Sequence, residues 1–530
     1  MIKLRIDNRE VDVDPEQTIL EAAQKLDIPI PTMCHMPEFH NNTSCMICTV
    51  QSGDNMLPAC STRVAEGMEI ETTSSAVVEF RKTTLELLFS EHVGECVAPC
   101  ELACPAHMQI PLMMKQIEND ELDEAIITIK EDIALPAVLG YICSAPCENS
   151  CRRKFVDDSA SICMLKRSAA LDDLARDKSY SPPQKPASGK TVALIGAGPT
   201  GLAAAYYAQL SGHDCTIIDT NPEPGGLLRY AIDDETLPKD VLADEIQMIA
   251  STGVKFIQNK SVGQDISFDE IQAEYDAVVI SIGKLENFET VFPGLTTDSR
   301  GVKVNQRTFE TALPGVFAGG DCVRPRQMAI RSVADGKSIA GSIDRFFRAG
   351  SATETKQRVR SKLGKVELFE ISEFLETAAP EGENYRQPRE KLLDKQQEHD
   401  LASVCLQCGC RSADSCELRS LGDRYSADLQ NYQYSSRNPV IKINSHPWVI
   451  YEPGKCIKCG LCVKITRARG ENLGLTFIGR GFDVKVGVPY NETLEAGLKT
   501  TAQECVDACP TGAIGMKQNV KPFTELKDKV

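Results

Sequence analysis

Twenty-two cysteines gathered into tight groups constrain this 530-residue chain more than any other feature. Twenty of them fall at 34–60, 96–163, 405–416 and 456–509, many at C-x2-C or C-x3-C spacing. Such spacing lets thiolates converge on one metal centre. A disulfide scaffold is the competing use, but it suits small secreted domains rather than a long chain. The start, MIKLRIDNREVDVD, alternates like a first β-strand and lacks a secretory hydrophobic region, so export is not expected. The expectation is a cytoplasmic protein whose cysteines bind metal or iron–sulfur centres.

A chain of this length exceeds one core and predicts about three to five domains. With 42% hydrophobic and 25% charged residues the composition is that of a soluble protein. No apolar run approaches the ~18 residues that span a bilayer, so no transmembrane segment is expected. A net charge of −17 argues against nucleic acid, which calls for a basic footprint.

Patterning divides the chain further. Residues 1–75 alternate in short β-like segments, and 76–180 turn helical, VVEFRKTTLELLFSEH carrying 3.6-type periodicity. SYSPPQKPASGK reads as a linker, and 190–350 opens as strand, turn, helix, strand. Residues 351–400 form a charged helical linker containing APEGENYRQPRE, 401–425 a cysteine-rich motif, and 438–525 a last cysteine-bearing domain.

Cys34, Cys45, Cys48 and Cys60 make C-x10-C-x2-C-x11-C. Four thiolates on one loop with a distant partner are what a [2Fe–2S] rhombus requires, whereas zinc sites usually show two paired knuckles. The spacing resembles the N-terminal [2Fe–2S] domain of the large iron–sulfur subunit of bacterial complex I and of iron hydrogenases, which implies a β-grasp ferredoxin fold. His35 and His40 read as surface or hydrogen-bonding residues.

RKTTLELLFSEHVGEC resembles the complex I subunit again, where an H-x3-C motif puts histidine on a [4Fe–4S] cluster. CPAHMQIP and GYICSAPCENSCRR instead resemble the two-cluster helical domain of glutamate synthase small subunits and dihydropyrimidine dehydrogenase. That resemblance implies two [4Fe–4S] clusters. One takes His92, Cys96, Cys100 and Cys151. The other takes Cys104, Cys143 and Cys147 with a fourth ligand, for which Cys163 is chosen over nearby Ser168. His107 is at most a neighbour of the cluster.

Gly196, Gly198 and Gly201 form G-x-G-x-x-G between strand and helix, suiting a tight turn, close approach of a pyrophosphate, and helix–strand packing. Asp219 ends the second strand, placed for a ribose hydroxyl. PEPGGLLRYAI, with Gly226, Leu227 and Arg229, and PGVFAGGDCV, with Asp321, resemble the FAD-contacting segments of the glutamate synthase small subunit. That family inserts an NADPH domain after a strand like YDAVVISIG; here about 30 residues intervene before PGVFAGGD, too few for one. Cys215 and Cys322 read as structural.

CLQCGCRSADSC places Cys405, Cys408, Cys410 and Cys416 within reach of one centre, either a further [4Fe–4S] cluster or zinc. Cys456, Cys459 and Cys462 make C-x2-C-x2-C, and Thr466 stands where a bacterial ferredoxin would place its next cysteine. The later C-P cysteine, Cys509, completes one [4Fe–4S] set. Cys505 is left over.

The fold class expected is thus multidomain α/β and α+β: a β-grasp [2Fe–2S] domain, a helical two-cluster domain, a Rossmann-like FAD domain and a ferredoxin-like C-terminal domain. The resemblances imply an electron-transfer subunit of a multisubunit oxidoreductase. Its partners would be NADH-oxidising, complex I-like flavoprotein subunits, and ferredoxin or a catalytic subunit such as a hydrogenase or formate dehydrogenase, with electron bifurcation one form such a complex takes. The alternatives are a self-contained flavoenzyme reducing a small molecule, and a scaffold with a non-redox FAD.

Overall fold

A computed structural model describes residues 1–284, 288–325, 328–353, 358–376, 378–379, 393–434 and 436–517. From Pro380 on, the linker-like APEGENYRQPRE lies outside these, as do residues 518–525 of the expected C-terminal domain. The chain divides into two compact units: Met1–Val97 with Gln357–Thr377 and Gln407–Val530, and Ala98–Lys356 with Ala378–Leu406.

The first unit begins with strands Ile2–Ile6 and Arg9–Val13, paired antiparallel through a tight turn. Asp7 and Asn8 make that turn with φ of 48° and 63°, a region Asp and Asn tolerate better than other side chains. Glu69–Ile70 adds a parallel strand to Ile2–Ile6. Thr18 and Glu21 close a capping box at the start of helix Ile19–Lys25. The helix buries Ile19, Leu20, Ala22 and Ala23 against Leu4, Ile6 and Val13, and Cys48 and Cys60 belong to the same core.

Helix Ser75–Ser90 starts at Ser74, whose hydroxyl accepts from the Val77 amide. Val77, Arg81, Leu85 and Phe89 recur every fourth position and form its buried stripe. Arg81, fully enclosed, donates Nη2 to the Thr49 carbonyl at 2.9 Å. At the other end of the chain, Val449–Tyr451 pairs antiparallel with Ile514–Met516, and Thr476–Ile478 with Lys485–Gly487. One apolar core joins these parts: Met33, Cys34, Cys45, Ile47, Leu85 and Phe89 pack with Cys416, Leu418, Leu421, Cys459 and Leu461.

The second unit opens with short helices, including Pro99–Ala103, Ile110–Glu118, Leu122–Asp132, Pro136–Ile142 and Ile162–Leu174. A buried ion pair joins two of them, Lys130 Nζ to Asp173 at 2.6 Å. A five-stranded sheet follows, all parallel, with Thr191–Ile195 central between Asp214–Ile218 and Ala277–Ile280. Lys255–Ile257 and Val316–Ala318 are its edges. Between the last two strands of the sheet, the described residues make helix Phe288–Val291 and a small hairpin, Thr297–Asp298 with Gly301–Val302. Helix Ala329–Ala349 lies so close to Pro199–Leu210 that a Cβ on Gly336 would stand 2.5 Å from the Thr200 carbonyl.

Candidate metal and flavin centres

The loop from Met33 to Cys60 brings its four cysteines together as two hydrogen-bonded thiol pairs, Cys34 with Cys45 and Cys48 with Cys60. All four are at most 2% exposed. The Cys45 thiol holds Cys34 down at about 5, and Cys48 holds Cys60 down at about 7, while Cys45 and Cys48 are driven up. Asn41 braces the loop, donating to the Cys60 carbonyl and pairing with His35 Nδ1 at 2.6 Å. Buried thiols mutually within range, on a loop held by its own side chains, fit a [2Fe–2S] rhombus.

Near the C-terminal end, Cys456, Cys459, Cys462 and Cys509 line one cavity with Tyr451, Leu461 and Ile514. Gly460, in left-handed conformation at φ 77°, starts helix Leu461–Ala468 and turns the C-x2-C-x2-C run round the cavity. Burial pushes the Cys459 thiol up to about 12, and Cys509 and Cys456 add to it. Thr466 is fully buried and accepts from the Leu475 amide at 3.0 Å, so its hydroxyl clamps the fold. Cys505 lies outside the cavity, its thiol facing the Cys462 carbonyl at 3.9 Å.

In the second unit, Cys104, Cys143, Cys147 and Cys163 line a cavity with Met108, Ile133 and Lys166. Helix ends place them. Cys104 caps Pro99–Ala103, Cys143 caps Pro136–Ile142, and Ala145, at φ 51°, turns the chain into the helix bearing Cys147. Cys163 and Lys166 stand three apart on helix Ile162–Leu174 and so share a face. Burial opposes the charge of Lys166, yet the four neighbouring thiols raise its pKa. Lys166 was not singled out from sequence; its signal is that i, i+3 spacing from a cysteine. Ser168 is instead hydrogen-bonded to Glu398. His107, at φ 54°, bonds the Cys104 carbonyl through its own amide at 2.9 Å.

The set His92, Cys96, Cys100 and Cys151 is not gathered within one unit. His92 and Cys96 lie in the first, Cys100 and Cys151 in the second. The four thiols of 405–416 are likewise divided, with Cys405 in the second unit and Cys408, Cys410 and Cys416 in the first. Within the second unit, Arg153 donates to the Val404 carbonyl at 3.1 Å, bringing the residue before Cys405 to the turn that follows Cys151. Within the first, the Cys410 amide donates to the Cys96 carbonyl at 3.4 Å. Burial raises the Cys96 thiol, with Cys410 adding to the rise. Burial likewise takes Cys416 up to about 11, with Cys410 and Cys96 contributing. Among the described residues, no three His, Cys, Asp or Glu close tightly enough on one point to hold a single metal ion.

The glycine loop has the shape of a phosphate cradle. Gly196 adopts φ 106°, and a Cβ there would meet the Ser281 carbonyl at 2.6 Å. A Cβ on Gly201 would sit 2.0 Å from the Gly196 carbonyl, whereas one on Gly198 would meet no protein atom within 4 Å. Gly198 therefore faces open space at the amino end of helix Pro199–Leu210, where peptide dipoles favour an anion. Gly226 adopts φ 52°, and a Cβ there would stand 2.9 Å from the Cα of Gly198. The residues fit a dinucleotide such as FAD. Asp219 is buried and accepts from the Ala197 amide at 2.6 Å and the Asn221 amide at 2.7 Å, so it also shapes the loop. Arg229 turns back on its own segment, bonding the Pro224 carbonyl at 2.8 Å and pairing with Glu223, while Leu227 is 61% exposed. Asp321 lies in the short helix Gly320–Cys322, and Asp335, unremarked in sequence, accepts from the Gly320 amide at 3.2 Å. Cys215 and Cys322 are buried, their thiols bonded to the His213 and Gly319 carbonyls.

Family models match three stretches of the chain. Residues 1–75 match a 2Fe-2S iron-sulfur cluster binding domain, 90–178 match dihydropyrimidine dehydrogenase domain II, 4Fe-4S cluster, and 163–336 match pyridine nucleotide-disulphide oxidoreductase. The chain thus carries oxidoreductase domains of 2Fe–2S, 4Fe–4S and FAD/NAD type. Over 193 residues it is 40% identical to the NADPH-Fe(3+) oxidoreductase subunit beta of Geobacter sulfurreducens, covering 36% of this chain and 29% of that protein. It is 39% identical over 207 residues to the NADP(+)-dependent formate dehydrogenase subunit beta of Moorella thermoacetica, covering 35% and 29%. The glutamate synthase [NADPH] small chain of Bacillus subtilis is 31% identical over 201 residues, covering 38% and 40%. In each case the match spans less than half of the relative's length. No helix among the described residues is long and apolar enough to cross a membrane.

Proposed function

We propose that this chain is the iron–sulfur flavoprotein electron-transfer subunit of a multisubunit oxidoreductase. It relays electrons between an NADH-oxidising flavoprotein partner and ferredoxin or a catalytic subunit such as a hydrogenase or formate dehydrogenase. The observation that carries this reading is the apolar core of the first unit, in which Cys34, Cys45, Cys416 and Cys459 pack together. Thiols from three separate cysteine groups share one core there. A continuous core fixes their separation, because packed interiors do not deform freely.

When bound, the clusters exchange single electrons and the flavin one or two. The chain's own residues enclose and orient them. Cys34, Cys45, Cys48 and Cys60 hold the [2Fe–2S] centre, and Cys456, Cys459, Cys462 and Cys509 a [4Fe–4S] centre. In the second unit, Cys104, Cys143, Cys147 and Cys163 hold another, with Lys166 offsetting thiolate charge. Gly196, Gly198, Gly201 and Gly226 shape the FAD pyrophosphate cradle, with Asp219 and Asp321 beside it. Thiols raised by burial must lose protons to bind iron, so loading releases protons.

The relatives support the reading by what they are named for, beta subunits of an NADPH-Fe(3+) oxidoreductase and of a formate dehydrogenase. Anaerobic purification of the native complex tests it. The chain should copurify with an NADH-oxidising flavoprotein and a second redox subunit; isolation alone, with turnover of a small molecule by the single chain, would contradict it.

A further inference from the structure

We infer that His92, Cys96, Cys410 and Cys416 are the four ligands of one [4Fe–4S] site built wholly within the first unit. The chain supplies two of them before it leaves that unit and two after it returns. The inference rests on reading the chain as a cluster carrier and concerns which thiols share a cluster.

The chain passes into the second unit directly after Val97, returns to the first for Gln357–Thr377, and enters it for the last time at Gln407. Cys96 and Cys410 flank the first and last of these crossings, more than three hundred positions apart in sequence, and are joined by the amide-to-carbonyl bond between them. A third segment braces the pair. Ser361 donates its amide to the Cys96 sulfur at 3.4 Å and its hydroxyl to the Gly94 carbonyl at 2.7 Å, and its own carbonyl accepts from the Cys96 amide at 3.2 Å. Two residues earlier, the Val359 carbonyl takes the Arg419 Nε at 3.0 Å, and Arg419 also holds the Ala413 carbonyl at 2.9 Å. That fixes helix Glu417–Tyr425, whose N-cap residue is Cys416.

His92 supplies the fourth donor. It follows helix Ser75–Ser90, and its Nδ1 is buried without a hydrogen-bond partner. A buried imidazole nitrogen with no partner is costly, and a metal bond to its lone pair removes that cost. The space is shaped by glycine. A Cβ on Gly94 would stand 3.0 Å from His92 Nε2 and 2.9 Å from the Lys455 side chain, and one on Gly512 would stand 3.3 Å from the Cys410 sulfur. One imidazole and three thiols make a complete ligand set for a cubane. Cys100, Cys151 and Cys405, grouped with these residues on sequence grounds, belong to the other unit.

The test uses the full chain, matured or reconstituted anaerobically and reduced with dithionite. Cys96→Ser, Cys410→Ser and Cys416→Ser should each remove the same electron paramagnetic resonance signal and about four irons, one cubane's worth. The [2Fe–2S] signal should persist, and Cys100→Ser should remove a different signal. In the unsubstituted protein that first signal should carry nitrogen hyperfine coupling, lost in His92→Cys with the iron retained. The site is overturned if Cys410→Ser removes a signal that Cys96→Ser keeps, if Cys96→Ser and Cys100→Ser remove the same one, or if the unsubstituted protein shows no nitrogen coupling. The last measurement needs no variant to fold. A chain that takes up no iron at all overturns the proposed function as well, which separates the two failures.

Discussion

Asn42 donates its Nδ2 to the carbonyl of Cys459 at 3.1 Å, tying the first thiol loop to the C-terminal one across 417 positions of sequence. The contact is close on both sides, since a Cβ on Gly460 would stand 2.4 Å from the same nitrogen. The bond couples the two thiol loops directly. Asn42→Ala removes a single part-buried hydrogen bond and should cost about 1 kcal/mol. Thermal unfolding of the loaded protein should show a midpoint lower by a few degrees, with iron content unchanged.

Gly198→Ala separates cofactor binding from folding. Its added Cβ meets no protein atom within 4 Å, and its φ of −76° suits alanine. The variant should fold with stability within about 1 kcal/mol of the parent, the usual difference between glycine and alanine at a helix N-cap. Yet it should lose most of its FAD by absorbance. Gly201→Ala, whose Cβ would collide with the Gly196 carbonyl at 2.0 Å, should lose flavin and stability together.

Cys163→Ser should remove about four irons, one [4Fe–4S] cluster, while Cys215→Ser and Cys322→Ser leave iron content unchanged. Iron and acid-labile sulfide assays on the three variants read this out. Equal iron loss in all three would detach Cys163 from the Cys104 cavity.

Glu370 accepts from Arg437 Nη2 and from the Val440 amide, each at 2.8 Å, and the Arg437 bond leads in holding its carboxyl down at about 2. A depressed carboxyl favours the folded state when ionised. Its contribution is present above the ordinary carboxylate range and is lost as pH falls through that range towards about 2. Chemical denaturation between pH 5 and pH 3, where the measurement is to be made, should show stability falling with acid, and the slope should lessen in Glu370→Gln. Removing the carboxylate by Glu370→Ala should cost about 3 kcal/mol, because Arg437 keeps its backbone carbonyl partners but loses the charge that neutralises it in a partly buried site.

Local spacing made much of this architecture legible. C-x10-C-x2-C-x11-C and C-x2-C-x2-C are short-range patterns, so their thiols can be assigned to common loops from sequence. The all-parallel sheet follows from G-x-G-x-x-G between apolar strands. The association of Cys96 with Cys410 and Cys416 was not legible in that way. Most of the long intervening segment folds into another unit, and proximity then depends on Ser361 and Arg419, whose residue types carry no ligand signal. Lys166 and Asp335 were missed for a similar reason: a buried lysine and a half-buried aspartate look like surface residues until packing is known. Asp219 was read only as a ribose contact, because the backbone amides it accepts from are invisible in sequence.

The most direct measurement is low-temperature electron paramagnetic resonance of the anaerobic native complex, frozen after mixing with NADH alone. Electron relay through this chain predicts that its [2Fe–2S] and [4Fe–4S] signals appear while the flavin absorbance bleaches. Clusters that stay oxidised under NADH, with the partner subunits present and reduced, would contradict the account.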